Sequence, residues 1–287
     1  MATAGRTLTL PEAAHQLGLH YMTVYRYVRT GKLPAQRDGN SWRVRVKDVE
    51  ALKAGRAVSE ARRSTGSSDR VDALEARLVA GDSAGAWWLV EGRLGGGLDP
   101  SGVLTTLVTP ALRSIGERWS RGDLSVADEH RATAMAQRII GRLGLQFGRP
   151  GRSRGTLVLA APAGDLHTLP VAIVADLLRW RGFAVSELGA NTPPDALAKA
   201  AQDADRLVAV GIAATTTGRD AAITESIHAV QAARPDVTVI LGGSAIRDAA
   251  HAQALGGDVW TGLDGSSVVN VAESLVQSPR IGAAADA

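Results

Sequence analysis

Residues 155–278 switch repeatedly between short β-favouring runs and longer helical stretches, and this alternation narrows the fold more than anything else in the chain. Strand candidates fall at 156–161, 184–188, 207–212, 237–241 and 259–260, with helical pattern between them. Strands joined through helices pair in parallel, and the helices cover both faces of the sheet. A doubly wound parallel sheet is therefore predicted. Such a sheet takes ligands outside the carboxyl ends of its strands. The loop "AGDLHTLP" leaves the first strand at that end. The apolar runs reach eight or nine residues, as over 207–214, which suits a buried strand and is too short to cross a bilayer.

The rest of the chain is organised differently. Residues 71–148 read as about four helices, as in a bundle, with breaks at Gly95-Gly96-Gly97 and near Arg121-Gly122-Asp123. Residues 54–70 are rich in Ala, Arg, Ser and Gly, the composition of a linker. Residues 7–53 read as a small domain. Thr9 as N-cap, Pro11 in the first turn and Glu12 three residues after the cap open a helix, and Gly18 ends it. A second helix runs over 21–29, an Asp38-Gly39 turn joins two short strands, and another helix follows. The expected architecture is multidomain, α and α/β. Its parts are a head over 1–54, a linker over 55–70, a four-helix bundle over 71–150 and a flavodoxin-like sheet domain over 151–287, with the last nine residues frayed.

Charge is split along this division. Residues 1–70 hold 13 Lys/Arg against 6 Asp/Glu, while the remainder holds 19 against 23. A basic head on a mildly acidic body suits a polyanionic partner, although a solvated basic tail has the same composition. The chain has no cysteine, which excludes disulfides and thiolate metal sites and fits a cytoplasmic protein. No basic N-terminal segment leads into an apolar core, so neither a secretory signal nor a membrane association is read.

The stretch "LTLPEAAHQLGLHYMTVYRYVRTGKLPAQRDGNSWRVRVKDVEAL" resembles the excisionase/MerR type of winged helix-turn-helix. The resemblance implies binding to double-stranded operator DNA. The second helix, carrying Thr23, Tyr25, Arg26 and Arg29, would enter a major groove. On the hairpin, Arg43 and Arg45 alternate along one strand and would share a face, with Arg37 joining them across the turn. The competing reading makes Tyr25, Tyr27 and Trp42 the core of a small protein-interaction fold. One such head covers little DNA, so a homo-oligomer, dimer or tetramer, is expected.

In the body, Asp165 and His167 on the first strand's loop and the later Gly242-Gly243 form one constellation. An imidazole ligates a metal through one ring nitrogen, and a carboxylate two residues earlier can hold the other. A pair of glycines lets backbone come close to a ligand. A lone histidine at a strand end is more often structural. In the helical region, Trp119 is followed after nine residues by Glu129-His130, which could equally be a buried indole and a solvated pair. Together these residues resemble the cobalamin-binding module of methionine synthase and of the CarH/LitR-type light-responsive repressors. The family's Asp-x-His-x-x-Gly loop is met except that Pro170 stands at the Gly. Ala213 stands where a Ser is expected, with Thr215, Thr216 or Thr217 as possible substitutes. Ser120 follows Trp119 where some members carry a second histidine.

The resemblance implies adenosylcobalamin as cofactor, with His167 below the cobalt. Trp119, Glu129 and His130 would meet the upper ligand, and Thr215, Gly242 and Gly243 would serve the nucleotide tail. It implies a light-responsive transcriptional regulator, a repressor and not an enzyme. The alternatives are a cobalamin-dependent methyltransferase component or carrier, and a regulator sensing another tetrapyrrole such as a bilin. No Gly-x-Gly-x-x-Gly follows the first strand, no Gly-Lys-Ser/Thr occurs, and the six histidines lack zinc-ligand spacing.

Overall fold

The structure, a computed structural model, describes residues 6–17, 19, 21–29, 31, 33–38, 41–53, 60–148 and 151–277, without the side chains of Arg26, Arg29, Arg37, Ser41, Lys53 and 60–67. Gly18, Gly39, residues 54–59 and the final nine residues lie outside this description.

In the head, β1 (Thr7–Thr9) leads into α1 (Leu10–Leu17), then α2 (Tyr21–Arg29), β2 (Ala35–Asp38), β3 (Ser41–Arg45) and α3 (Val46–Lys53). The capping box forms as expected. The Thr9 backbone N–H donates to Glu12 Oε2 at 2.7 Å, and the Glu12 N–H returns to Thr9 Oγ1 at 3.4 Å. The Thr9 N–H, with the Thr9 hydroxyl donating to the same oxygen at 2.9 Å, holds the Glu12 carboxyl below its usual range. The strand β1 went unforeseen, because three residues carry no readable alternation. It pairs antiparallel with β3, giving a sheet in the order β1-β3-β2. Leu8, Leu10, Ala13, Ala14, Val24, Leu33, Val44 and Val49 form the core beneath.

The next region holds α4 (Glu60–Ala80), α5 (Ser83–Gly95), α6 (Pro100–Val103), a π-helical turn (Leu104–Val108), α7 (Thr109–Ser120) and α8 (Val126–Gly144). Residues 60–70 are thus the opening turns of α4, not linker; composition spoke for flexibility, but the segment continues a packed helix. Gly97 and Gly122, at φ +91° and +81°, make both predicted breaks. The π turn was not foreseen. Pro110 lacks the N–H that Thr106 would accept, and the Thr109 N–H instead reaches back five residues to Leu104. Helix α4 packs on α5 and α7, with the buried Glu75 paired to Arg118. Ser125 and Asp128 cap α8 reciprocally, and Arg131 donates to the Val79 carbonyl at 3.0 Å.

The chain divides into two compact units, residues 1–135 and 136–287. The division falls inside α8. The last turns of α8 belong with the second unit, where Gln137 Nε2 donates to Thr168 Oγ1 at 3.2 Å and Phe147 meets Trp180 edge-on at 5.9 Å.

The second unit follows the predicted alternation: β4 (Thr156–Pro162), α9 (Leu169–Trp180), β5 (Ala184–Thr192), α10 (Pro194–Asp203), β6 (Leu207–Ala213), α11 (Asp220–Ala233), β7 (Thr238–Gly242), α12 (Ala249–Ala254), β8 (Val259–Trp260) and α13 (Gly265–Gln277). All pairs are parallel, in the order β5-β4-β6-β7-β8. The chain therefore steps one way from β4 to β5 and then crosses back to β6. The carboxyl ends of β4 and β6 meet at this switch point, the place where open sheets of this kind bind ligands in a crevice. Beneath it, Val158, Ala160, Val210, Ile212, Val239 and Leu241 are buried against α10, α11 and α12.

Candidate cofactor site

Backbone geometry first fixes the β4 loop. The Asp165 N–H donates to the Pro162 carbonyl at 3.0 Å, and the Asn191 N–H donates to the Asp165 carbonyl at 2.8 Å. Asn191 Oδ1 accepts the Gly164 N–H at 2.7 Å. Gly164 and Asn191 sit at φ +81° and +51°, left-handed positions suited to Gly and Asn.

This frame carries a fully buried Asp165. Its Oδ1 accepts from His167 Nδ1 at 2.7 Å and from the His167 N–H at 3.2 Å. Its Oδ2 accepts the Thr215 and Thr216 N–H groups from the β6 loop, at 2.6 and 3.0 Å. Thr215 Oγ1 donates to the same carboxylate at 3.0 Å. Burial pushes the Asp165 carboxyl up, but the bonds from His167, Thr215 and Thr216 outweigh it and hold the group well below the ordinary carboxylate range. Ionised, it can only accept. The His167 proton is thereby placed on Nδ1 and the lone pair on Nε2. The imidazole side chain is 55 % exposed at the crevice.

This donor set fits a metal that brings its own macrocycle. Among the described residues no cluster of three or more His, Asp or Glu could cage a bare ion. An imidazole with its Nδ1 held by a carboxylate could supply one nitrogen ligand to such a metal.

The other predicted residues fall as follows. Thr215 is committed to Asp165 through both its N–H and its hydroxyl, so it braces the Asp165–His167 pair. Thr216 Oγ1 lies 3.5 Å from His167 Nδ1. Pro170 occupies the first turn of α9, where a missing N–H costs nothing. At Gly242, a Cβ would stand 2.8 Å from Thr261 Oγ1; at Gly243, with φ +101°, it would stand 2.1 Å from the Ala214 carbonyl oxygen. The chain's own packing already demands both glycines. Sequence reasoning missed Asn191, whose role is backbone geometry. It also missed the exposed apolar residues Leu166 and Leu263, on the loops after β4 and β8, and Trp260 at the end of β8. Trp260 closing a two-residue strand was the available signal.

In the first unit, Trp119 lies in the last turn of α7, 44 % exposed, and Glu129 and His130 open α8. His130 Nδ1 lies 2.7 Å from Glu129 Oε2, and Thr133 Oγ1 donates to Glu129 Oε1 at 2.7 Å. Among the described residues no hydrogen bond or ring contact joins Trp119 to this pair.

In the head, Thr23 is half-buried, and Tyr25 stacks on Tyr21 at 6.3 Å while packing against the core. Arg43 Nε lies 3.4 Å from Asp38 and Arg45 Nε 2.8 Å from the buried Asp48. Arg37 pairs with Trp42 in the ladder, and Arg43 with Gln36. Opposed residues share a face and neighbours alternate, so position 37 falls on the face opposite 43 and 45, contrary to expectation. The side chains of Arg26, Arg29 and Arg37 lie outside the described residues.

Comparison with known proteins agrees with this organisation. Residues 7–57 match a helix-turn-helix domain, 70–143 a B12 binding domain and 155–271 a second type of B12 binding domain. The trimethylamine corrinoid protein 1 of Methanosarcina acetivorans is 24 % identical over 181 residues, 60 % of this chain and 81 % of that protein. The dimethylamine corrinoid protein of Methanosarcina barkeri is 25 % identical over 172 residues, 58 % of this chain and 78 % of that protein. The structure of the Methanosarcina barkeri monomethylamine corrinoid protein superposes with a TM-score of 0.62 at 15 % identity, over 70 % of this chain and 96 % of that one, and shares the fold. The chain is a cobalamin-binding protein that carries a helix-turn-helix domain. Both relatives are named as corrinoid proteins. No helix among the described residues is long and apolar enough to cross a membrane.

Proposed function

We propose that this chain is a transcriptional regulator that binds adenosylcobalamin and answers to light. The observation that carries the cofactor half is the buried, ionised Asp165 holding His167 in the Nδ1–H tautomer at the crevice of a B12 binding domain. The regulator half rests on a helix-turn-helix domain in the same chain. When bound, adenosylcobalamin supplies a cobalt–carbon bond that light breaks. The chain's own residues do the rest. His167 Nε2 would hold the cobalt, and Asp165, braced by Thr215 and Thr216, would keep the proton off that nitrogen. Trp119, Glu129 and His130 are assigned to the upper ligand: an indole face suits the adenine, and the Glu129–His130 pair suits ribose hydroxyls. The cofactor biases DNA binding only if it prefers the DNA-competent assembly. Paired heads then turn a modest preference into a large change in occupancy.

Gel shifts on operator-containing DNA, with protein loaded in darkness and then lit with green light, test this. A shift that differs between dark and lit samples is expected, together with a corrinoid spectrum. Identical shifts on a corrinoid-loaded protein would remove light sensing and leave cobalamin binding. A second reading, a methyl carrier, is favoured by the methylamine corrinoid relatives. It leaves the head without a task, and methyl transfer from methylamine donors in a reconstituted assay would be its sign.

A further inference from the structure

Arg219 stands out at the switch point. It ends the β6 loop, immediately before α11, and its side chain is exposed. A Cβ built on Gly164 would lie 2.8 Å from Arg219 Cζ and Nη1 and 3.0 Å from Nε. The guanidinium is therefore laid face-on over Gly164, one residue from Asp165. Yet among the described residues its side chain has no hydrogen bond and no ion pair. The nearby acids are engaged elsewhere. Asp165 accepts from His167, Thr215 and Thr216, and Asp220 lies 3.3 Å from the buried His251. A long, exposed side chain thus lies beside the Asp165–His167 loop with no partner for its charge among the described residues.

The chemistry of the ligand says what would meet it. The amide side chains around a cobalamin ring are neutral, and the formal anion on its periphery is the phosphodiester of the nucleotide arm. A planar guanidinium matches two phosphate oxygens at once, in a way a point charge cannot. We propose that Arg219 binds this phosphodiester, so that the site selects complete corrinoids carrying a nucleotide arm over those that lack it. The inference rests on the cobalamin reading above. Glycine at 164 then has two reasons: its left-handed backbone, and the room it leaves for the guanidinium.

The test is calorimetric titration of the full chain with cobalamin and with cobinamide, which lacks the phosphate and base. Wild type is expected to bind cobalamin more tightly. Arg219→Gln should weaken cobalamin about tenfold, the low end for an exposed charge-assisted contact, and leave cobinamide unchanged. Arg219→Lys should recover part of the loss. In wild type alone, added salt should weaken cobalamin more than cobinamide, a measurement that stands even if the variants fold poorly. If wild type binds both ligands and Arg219→Gln leaves their ratio unchanged, the assignment is overturned while cobalamin binding survives. If wild type binds neither, the cobalamin reading falls and takes this one with it. Inorganic phosphate titrated alone separates the two sources of the anion. Absence of heat supports the phosphodiester; saturable binding that Arg219→Gln abolishes would reassign the residue to free phosphate and overturn the proposal.

Discussion

Replacing Asp165 by Asn changes almost no volume and removes one charge, so it isolates what the carboxylate does. Each way of seating the amide has a cost. With its nitrogen at Oδ2, the NH2 faces the Thr215 and Thr216 N–H groups, leaving two buried donors unanswered. With its nitrogen at Oδ1, it faces the His167 N–H and Nδ1. The imidazole must then move its proton to Nε2, which withdraws the lone pair from the metal. The second seating costs less, because half-exposed His167 can turn to water. Lost charge-assisted bonds and one orphaned N–H amount to about 2–3 kcal/mol. Urea unfolding at neutral pH would read that loss, and cobalamin titration would show weakened axial ligation. The pH dependence has a definite sign. The folded carboxyl is depressed, so the wild-type advantage is complete above the unfolded value of about 4, declines as pH drops below it, and is gone only once pH has fallen through the lower folded value. The asparagine variant has nothing to titrate at this position, so the stability gap closes on acidification. Equal stability at neutral pH, or a gap that widens in acid, would refute the reasoning.

Other expectations follow from the same contacts. His167→Ala removes a charge-assisted bond to the buried Asp165 and should cost about 1–2 kcal/mol, a melting temperature lower by a few degrees, and should change the spectrum of bound cobalamin; an unaltered spectrum would exclude ligation of cobalt by this imidazole. Gly243→Ala forces a Cβ to 2.1 Å from the Ala214 carbonyl oxygen at φ +101° and should cost more than about 2 kcal/mol in chemical denaturation. Thr215→Val keeps the Thr215 N–H bond to Asp165 and removes only the hydroxyl, so a loss of about 1 kcal/mol is expected by the same assay. Arg45→Ala uncouples the buried Asp48 from its partner and should lower the melting temperature of the head as well as its DNA affinity. A change confined to affinity would show that the ion pair has no structural share.

What could be read from the sequence follows from how local each signal is. The sheet was legible because hydrophobic period and strand length act within a few residues, and helices between the five strand positions imply parallel pairing, whereas the strand order required the fold. The capping box at Thr9 and Glu12 was legible for the same reason. The π turn was not: Pro110 advertises a disturbance, but whether a helix breaks or bulges depends on its packing partners. Nor was the extent of α4, since Ala, Arg and Ser suit an exposed helix as well as a linker.

The glycine pair separates recognising a residue from explaining it. Gly242 and Gly243 were picked out as a place where backbone comes close to something, and close approach is what the structure contains. The approaching groups, however, are Ala214 and Thr261 of the same chain. A glycine in a strand-end loop reports that a Cβ is intolerable and cannot report whose atoms exclude it. Asp165 and His167 are different. A carboxylate two residues before an imidazole can bond it locally, and that bond alone sets the tautomer. The Thr215 and Thr216 amides, fifty residues on, then decide whether the carboxylate stays charged. The Asp165–His167 bond was therefore readable from the β4 loop, while its dependence on the β6 loop required the fold. Substitutions at Thr215 should consequently act on cobalamin affinity through Asp165, and should have no further effect in an Asp165→Asn background. A double-mutant cycle in which the two losses simply add would break that link.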